Sequence, residues 1–235
     1  MKSKYIIMAT AIVALTFSSC VVTEDLNIDD NNGGTSASQI QVEDFFVDVL
    51  ADFSDFSTSD STKPIMDQSM EAFEKQLNSA STTSNVDLVK TGENAYTITF
   101  DYSSLKTLLA DLGAKSNQTV LTLNDKTLNF YLDLGNYEDL TQAIPFLSDP
   151  NFEPFGPTYN EGLSEADYYD MISFMLGEEG PGAIAKSVIT LRFVTPEPIV
   201  SYKGGKKISS TEFEYSFPLI DFLLLADPLS FELTW

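Results

Sequence analysis

The sequence predicts an α+β domain, in which an antiparallel sheet built of hairpins carries several amphipathic helices packed on one face. Alternating apolar and polar residues, typical of strands, recur in pairs around short turns. Between these pairs lie segments with apolar residues three and four positions apart, typical of helices. The 235 residues include 43% hydrophobic residues and 17 phenylalanines. A chain of this composition can bury a sizeable core.

The N-terminal segment has the layout of a secretory signal peptide, which we assign to residues 1–19. Lys2 and Lys4 precede an apolar stretch that is too short to span a bilayer comfortably. Two small residues then precede Cys20, the one cysteine of the sequence. This order resembles the lipobox of bacterial lipoproteins, and the resemblance implies that Cys20 is lipidated and becomes the first mature residue. The alternative is an ordinary signal peptide cut nearby, with Cys20 a free thiol.

The residues after Cys20 bear on location. Val21, rather than an aspartate, follows the cysteine, and by resemblance to known lipoprotein sorting this implies the outer membrane or cell surface of a Gram-negative bacterium. Residues 20–40 are rich in Asn, Asp, Gly, Ser and Thr, so we predict a flexible acidic tether. Residues 41–235 would then form a single α+β domain.

The domain elements follow from periodicity. Residues 42–56 fit either a strand or a helix, and their Phe and Val content favours a strand. Helical spacing predicts helices at 65–77, 105–112, 137–147 and 164–176, the last ended by the glycines of 177–182. Alternation predicts strands at 86–89, 96–100, 119–123, 127–132, 188–194, 199–202, 211–217 and 229–235. Residues 218–225 fit a short helix or buried coil.

Two surface features are candidate contact sites. The irregular run 148–162 contains three prolines together with Phe152, Phe155 and Tyr159, and exposed aromatic residues on such a loop would form a contact surface. The alternative is a long connection folded back on the core. Lys203, Lys206 and Lys207 flank a Gly-Gly turn and form a basic spot that could dock an anionic headgroup or glycan. Lysines that keep a hairpin tip soluble explain them equally well.

Composition excludes much chemistry. The sequence has no histidine, and a lipidated Cys20 leaves no thiol, so the usual general base and the Cys/His metal ligands are missing. A formal net charge of −22 opposes nucleic-acid binding. Among 35 acidic residues, chance carboxylate pairs are unavoidable, and a carboxylate hydrolase is the one enzyme class left. We predict no catalytic residues, no metal site, no cofactor and no enzyme activity.

The C-terminal third resembles a known family. Val188-Ile189-Thr190-Leu191-Arg192-Phe193 leads to Pro196, Ile199-Val200-Ser201 precedes the Gly204-Gly205 turn, and Phe213-Glu214-Tyr215-Ser216-Phe217 follows. With the elements from Glu93 onward, this order resembles a family of bacterial envelope lipoproteins typified by the mycobacterial LppM lipoprotein, over about half of the mature chain. The resemblance implies an α+β envelope module that meets lipids or other cells, and not an enzyme.

These observations predict a lipid-anchored envelope lipoprotein that acts as a non-enzymatic binding module for a lipid-like or apolar ligand. The apolar helix stripes and the lack of catalytic residues support this hypothesis, since a cleft can form between helices and sheet. The alternative is a surface structural, adhesion or partner-binding lipoprotein, whose partner would be an envelope protein bound at a strand edge or an aromatic loop.

Overall fold

The computed structural model describes residues 20–48, 63–150 and 152–235. The strands are β1 (Val21–Ile28), β2 (Gly34–Gln41), β3 (Thr83–Lys90), β4 (Ala95–Tyr102), β5 (Leu121–Asn124), β6 (Thr127–Leu132), β7 (Val188–Val194), β8 (Ser201–Lys203), β9 (Lys206–Lys207), β10 (Glu212–Pro218) and β11 (Leu229–Thr234). The helices are α1 (Ile65–Ser79), α2 (Leu105–Asp111), α3 (Tyr137–Ala143), α4 (Glu165–Leu176), α5 (Glu179–Lys186) and α6 (Leu219–Leu224), with short 3-10 turns at Pro145–Ser148 and Glu153–Phe155.

These strands form two sheets. The large sheet has the order β3-β4-β2-β1-β7-β10-β9, and the small sheet has the order β5-β6-β11-β8. The strand pairs are antiparallel except β1 with β7, which run parallel. The predicted α+β class is confirmed, with the strands divided between two sheets instead of one.

The large sheet has an interior face and a solvent face. On the interior face, Leu26, Phe193 and Phe213 are buried in the adjacent strands β1, β7 and β10, and Ile98 is buried on β4. The solvent face carries polar residues such as Asn27, which is exposed. This division follows from the period of two in a strand, and an antiparallel sheet commonly leaves one face in water.

The small sheet and the helices cover the interior face. The ring of Phe231 on β11 lies 5.0 Å from that of Phe193 and 5.1 Å from that of Phe213, measured between centroids. At the β3 end of the same face, α1 packs against β3 and buries Met66 and Met70. The core therefore lies between the large sheet and a mixed layer of helices and β-strands.

The predicted flexible tether at 20–40 is wrong. Its residues form β1 and β2, and β1 lies in the middle of the large sheet, paired with both β2 and β7. Leu26 and Ile28 are buried on the interior face. The polar residues occupy the solvent face and the turn, where Asp29 Oδ1 accepts bonds from two backbone N–H groups. Average composition concealed this alternation, and the domain begins at residue 21 rather than 41.

Two further expectations need correction. Residues 44–48 are helical rather than extended, and the remainder of the ambiguous segment, 49–56, lies outside the described residues, as does the signal peptide at 1–19. The glycines at 177–182, expected only to end a helix, include the start of α5. Gly180 allows this because a Cβ there would lie 2.8 Å from Ile172 Cγ2, so its absence lets α5 lie close against α4.

The Gly204-Gly205 turn joins the two sheets. β8 pairs with β11 in the small sheet, whereas β9 pairs with β10 in the large one. Both glycines have positive φ, 70° and 58°, a region that favours glycine. The chain thus leaves the edge of one sheet and enters the edge of the other.

Most other predicted elements are confirmed. The helices at 65–77, 105–112 and 164–176 correspond to α1, α2 and α4, and the hairpins at 86–100 and 119–132 to β3–β4 and β5–β6. The predicted helix at 137–147 is divided into α3 and a 3-10 turn. Ser164 begins α4 with a capping box, in which its hydroxyl and the Asp167 carboxylate each bond the other's backbone N–H.

Candidate functional site

The interior face of the large sheet contains a carboxylic acid at its centre. Glu24 lies in the middle of β1 and shares its face with the buried residues Leu26 and Ile28. The side chains of Ser36 and Ser38, both buried on β2, donate hydrogen bonds to the two oxygens of the carboxyl group, one to each. The three side chains form a polar island, which we call the Glu24 site, on an otherwise apolar face.

The surroundings of the Glu24 site raise the pKa of its carboxyl group. Burial raises the pKa of Glu24, the hydrogen bonds from Ser36 and Ser38 oppose this effect, and the nearby Asp25 carboxylate raises the pKa further. The net shift is upward. A protonated carboxyl group can donate a hydrogen bond as well as accept one. The site can therefore offer both functions to a polar group that reaches it.

The centre of the large sheet around Glu24 is less completely covered than β4. One row of paired residues runs across the interior face through Ile98, Ser38, Glu24, Leu191 and Tyr215. The side chain of Ile98 is fully buried, whereas Glu24, Leu191 and Tyr215 are only half-buried. A central strand is normally the most buried part of a sheet. The middle of this row is therefore covered less closely than its Ile98 end.

The next row, closer to Cys20, shows the same pattern. Tyr96 and Phe217 at its flanks are buried, and the central residues Ile40, Val22 and Ile189 are half-buried. In the opposite direction, the row that contains Leu26 and Phe193 is buried throughout. The half-buried central residues thus extend from Glu24 toward the end of β1 where Cys20 lies, and not in the opposite direction.

The sequence contains a signal for Glu24 that we did not use. Val22, Glu24, Leu26 and Ile28 occupy every second position, which places Glu24 on the apolar face once the segment is treated as a strand. The high content of Asp, Asn and Gly in the surrounding residues favoured the prediction of a flexible tether instead.

Of the two interpretations of the aromatic loop, the structure agrees with the connection that folds back on the core. Phe152 and Phe155 are buried, with 7% and 4% exposure, and their rings lie 6.0 Å and 5.3 Å from that of Phe46. Asn160 is buried and donates to the carbonyl oxygens of Phe155 and Gly156, which fixes the loop. Tyr159 is 62% exposed and is the one residue of the three left for contact. The loop folds back on the core.

The three lysines are exposed but do not converge on one strand. Lys203 lies on β8 opposite Glu232, and Lys206 lies on β9 opposite Glu214. The ammonium group of Lys207 donates to the carbonyl oxygen of Ile199 at 2.9 Å. With acidic residues facing two of these side chains, the local positive charge is partly balanced.

A depression lies on the solvent face around Arg192. It has a volume of about 270 Å³ and is lined by Asp25, Glu214 and Ile208 among others. Arg192 contacts Glu214 at 3.0 Å and Asp25 at 3.7 Å. Because two carboxylates already flank the guanidinium group, the depression offers little attraction to an anion.

Cys20 begins the described chain and is half-buried. Its backbone N–H donates to Ser187 Oγ at 2.8 Å. Burial raises the pKa of its thiol, and the bond with the Glu43 backbone opposes this effect. A thiol of this kind is a weak nucleophile at neutral pH.

No metal site or membrane span is found in the described part of the chain. No group of three or more Cys, Asp or Glu side chains there is arranged to hold a metal ion. None of the helices in these ranges combines the length and the hydrophobicity needed to cross a bilayer.

Fold and site together define a class: an α+β domain of two sheets, with an acid set in the interior face of the larger one. No protein-family model matches the chain, and no curated protein matches it. Among solved structures, it is similar to the NMR structure of the folded domain of LppM from Mycobacterium tuberculosis, at 10% identity and a TM-score of 0.36, over 92% of this chain and 90% of that chain. This TM-score is too low for the two folds to be equated.

Proposed function

We propose that this protein is a lipid-anchored envelope protein whose domain binds an apolar ligand that carries one polar group. The half-buried Glu24 carboxyl group on the interior face is the single observation that carries the proposal. The apolar part of the ligand would lie along Val22, Ile189 and Leu191, and its polar group would hydrogen-bond with Glu24. A fatty acid, a fatty alcohol or a lipid of similar chemistry meets this description.

The energetic cost of Glu24 supports a functional role. A carboxyl group removed from water destabilises the fold unless its hydrogen bonds are replaced. Ser36 and Ser38 supply one donor to each oxygen, which leaves further lone pairs for another partner. An apolar residue would pack at this position without that cost, and residues with shifted pKa values concentrate at functional sites.

The anchor and the location belong to the same proposal. Cys20 follows small residues in the order of a lipobox, so we assign it the lipid, and Val21 after it favours the outer membrane or cell surface of a Gram-negative bacterium. The domain would act by binding rather than catalysis, because the Glu24 site offers hydrogen-bonding groups and contains neither a histidine nor a thiol.

Native mass spectrometry tests the ligand. The mature chain with Cys20→Ser cannot be lipidated, so a reproducible mass excess of lipid size would be a bound ligand. We expect the excess in this protein, and we expect Leu191→Trp, which adds bulk beside Glu24, to remove it. Asp25→Asn is the matched control, because Asp25 neighbours Glu24 on the solvent face, and it should keep the excess. The proposal would be contradicted if the Cys20→Ser protein showed the mass of the polypeptide alone. It would also be contradicted if Leu191→Trp kept the mass excess.

The second candidate function is partner binding at the junction of the sheets. Val200, Tyr202 and Ile208 are 78%, 49% and 48% exposed, and β8 and β9 are edge strands of their sheets. An exposed edge with apolar side chains can pair with a strand of another protein. If this edge binds a second copy, sedimentation should show a concentration-dependent oligomer that Tyr202→Ser weakens. A monomer at all concentrations would speak against self-pairing.

A further inference from the structure

The anchoring residue is held by the folded domain. Cys20 immediately precedes β1, and its N–H donates to Ser187 Oγ at 2.8 Å. The hydroxyl of Ser187 donates in turn to the carbonyl oxygen of Ala183 in α5 at 2.8 Å, and Ser187 is 1% exposed. One residue spans at most about 3.8 Å between Cα atoms. A lipid on Cys20 would therefore be joined to the sheet with no flexible linker between them.

Several strand ends meet at this edge of the large sheet. The parallel pairing of β1 and β7 places Val21 beside Val188, so both strands start here. The last residue of β2, Gln41, pairs with Ala95 at the start of β4, and the Val42 N–H donates to the Asn94 carbonyl oxygen. We call this end of the sheet the Cys20 edge.

On the solvent face at the Cys20 edge, β1 and β7 each carry an exposed valine, and β2 carries the exposed Gln41 beside them. Val21 and Val188 are 41% and 40% exposed and lie side by side. The next residues of the same face are Thr23 and Thr190, followed by Asp25 and Arg192. The two exposed valines thus lie within one residue of Cys20 and Ser187, where an acylated cysteine would meet a lipid surface.

We infer that the Cys20 edge sits directly on the bilayer that holds the Cys20 acyl chains, with Val21 and Val188 at the boundary between headgroups and acyl chains. The inference rests on the proposed lipid anchor and goes beyond it, since it fixes the orientation of the domain. Apolar groups of peripheral proteins enter this boundary by about 5–10 Å. The half-buried residues beside Glu24, where we propose that the ligand binds, extend toward the same edge.

Spin labelling of the lipidated protein tests the orientation. Thioether linkage blocks Cys20, so a nitroxide on Val188→Cys reports on that position alone. The control is Asn27→Cys, near the other end of β1 and about 20 Å from Val21 at ~3.3 Å per residue. In vesicles of phosphatidylethanolamine and phosphatidylglycerol, the Val188→Cys label should collide more with oxygen and less with a water-soluble nickel chelate. For the Asn27→Cys label, the collision rates with oxygen and with the chelate should be the same on vesicles as in water.

A linker variant separates this inference from the anchor itself. Eight Gly and Ser residues inserted after Cys20 should keep the protein on the vesicles while the label at position 188 returns toward the values in water. If the lipidated protein binds vesicles but labels at 188 and 27 are equally exposed to the nickel chelate, the docking inference is wrong and the anchor stands. If Cys20 carries no acyl mass, both the anchor and the docking fail.

Discussion

Ser38 and Glu24 are directly opposite each other on β2 and β1, and the Ser38 hydroxyl donates to Glu24 Oε2. Ser36, two residues along β2, donates to the other oxygen. The antiparallel register thus holds both serines and the acid on the interior face. The energetic behaviour of this group can be separated from its role in binding by substitution.

We expect Glu24→Gln to stabilise the protein at neutral pH. Burial raises the folded-state pKa of Glu24 above the unfolded value of about 4.3, so its stabilising contribution is complete below about pH 4.3 and is lost as pH rises through the folded pKa. Gln lacks this pH dependence. Urea unfolding should therefore show a higher midpoint for the variant at pH 7 and no gain at pH 4. Asp25→Asn, beside Arg192 on the solvent face, should show no gain at pH 7.

The two serines should matter only while the acid is present. Ser36→Ala with Ser38→Ala leaves the buried carboxyl group without donors, and we expect a loss of about 1–3 kcal/mol in the free energy of unfolding. The same pair combined with Glu24→Leu should cost much less, because donors and acceptor are removed together. Chemical unfolding of the original protein, the serine double variant, Glu24→Leu and the triple variant measures the coupling free energy between the serines and Glu24. Equal losses with and without Glu24 would show that the serines act independently of it.

The aromatic loop should behave as core. Phe152→Ala removes a buried ring that packs against Phe46 and Phe146, and we expect a loss of about 3–5 kcal/mol. Tyr159→Ala, at a position 62% exposed in the same loop, should change stability by less than about 0.5 kcal/mol. Thermal unfolding of both variants makes the comparison. If Phe152→Ala left the thermal stability unchanged, the loop would lie on the surface and not in the core.

Gly205 should not tolerate alanine. Its φ of 58° disfavours a side chain, and a Cβ would lie 2.4 Å from Phe213 Cζ, so we expect a loss above about 1 kcal/mol. Gly182→Ala is the matched control, because nothing lies within 4 Å of its Cβ position and alanine favours a helix by up to about 1 kcal/mol. The urea midpoint should fall for Gly205→Ala and rise for Gly182→Ala.

Ser187→Ala should loosen Cys20, which we propose as the lipid anchor. The change removes the acceptor for the Cys20 N–H and the donor to Ala183. Hydrogen exchange of the lipidated protein should then become faster at residues 20–22 and stay unchanged at residues 26–28, which keep their β1–β2 and β1–β7 bonds. Uniform acceleration along β1 would instead indicate a general loss of stability.

The sequence predicts most local elements because their signals are local. The apolar stripe of α1 and the alternation of Tyr96, Ile98 and Phe100 depend on neighbours in sequence, and both are observed. The Glu24 site could not be found in this way, since Ser36 and Ser38 become its partners only through the register of β1 and β2. The junction at Gly204-Gly205 was missed for a similar reason, because the choice of sheet depends on partners at Glu214 and Glu232.

The central position of β1 has a consequence for how the chain folds. Its partner β7 lies more than 160 residues later, as the Cys20–Ser187 bond shows with a separation of 167 positions. Folding rates fall as contacts join more distant parts of a chain. The middle of the large sheet can therefore close only after nearly the whole polypeptide has been synthesised. A chain with this order of events remains incompletely folded for longer, which would suit the export that we propose, because a secretory pore passes an unfolded chain.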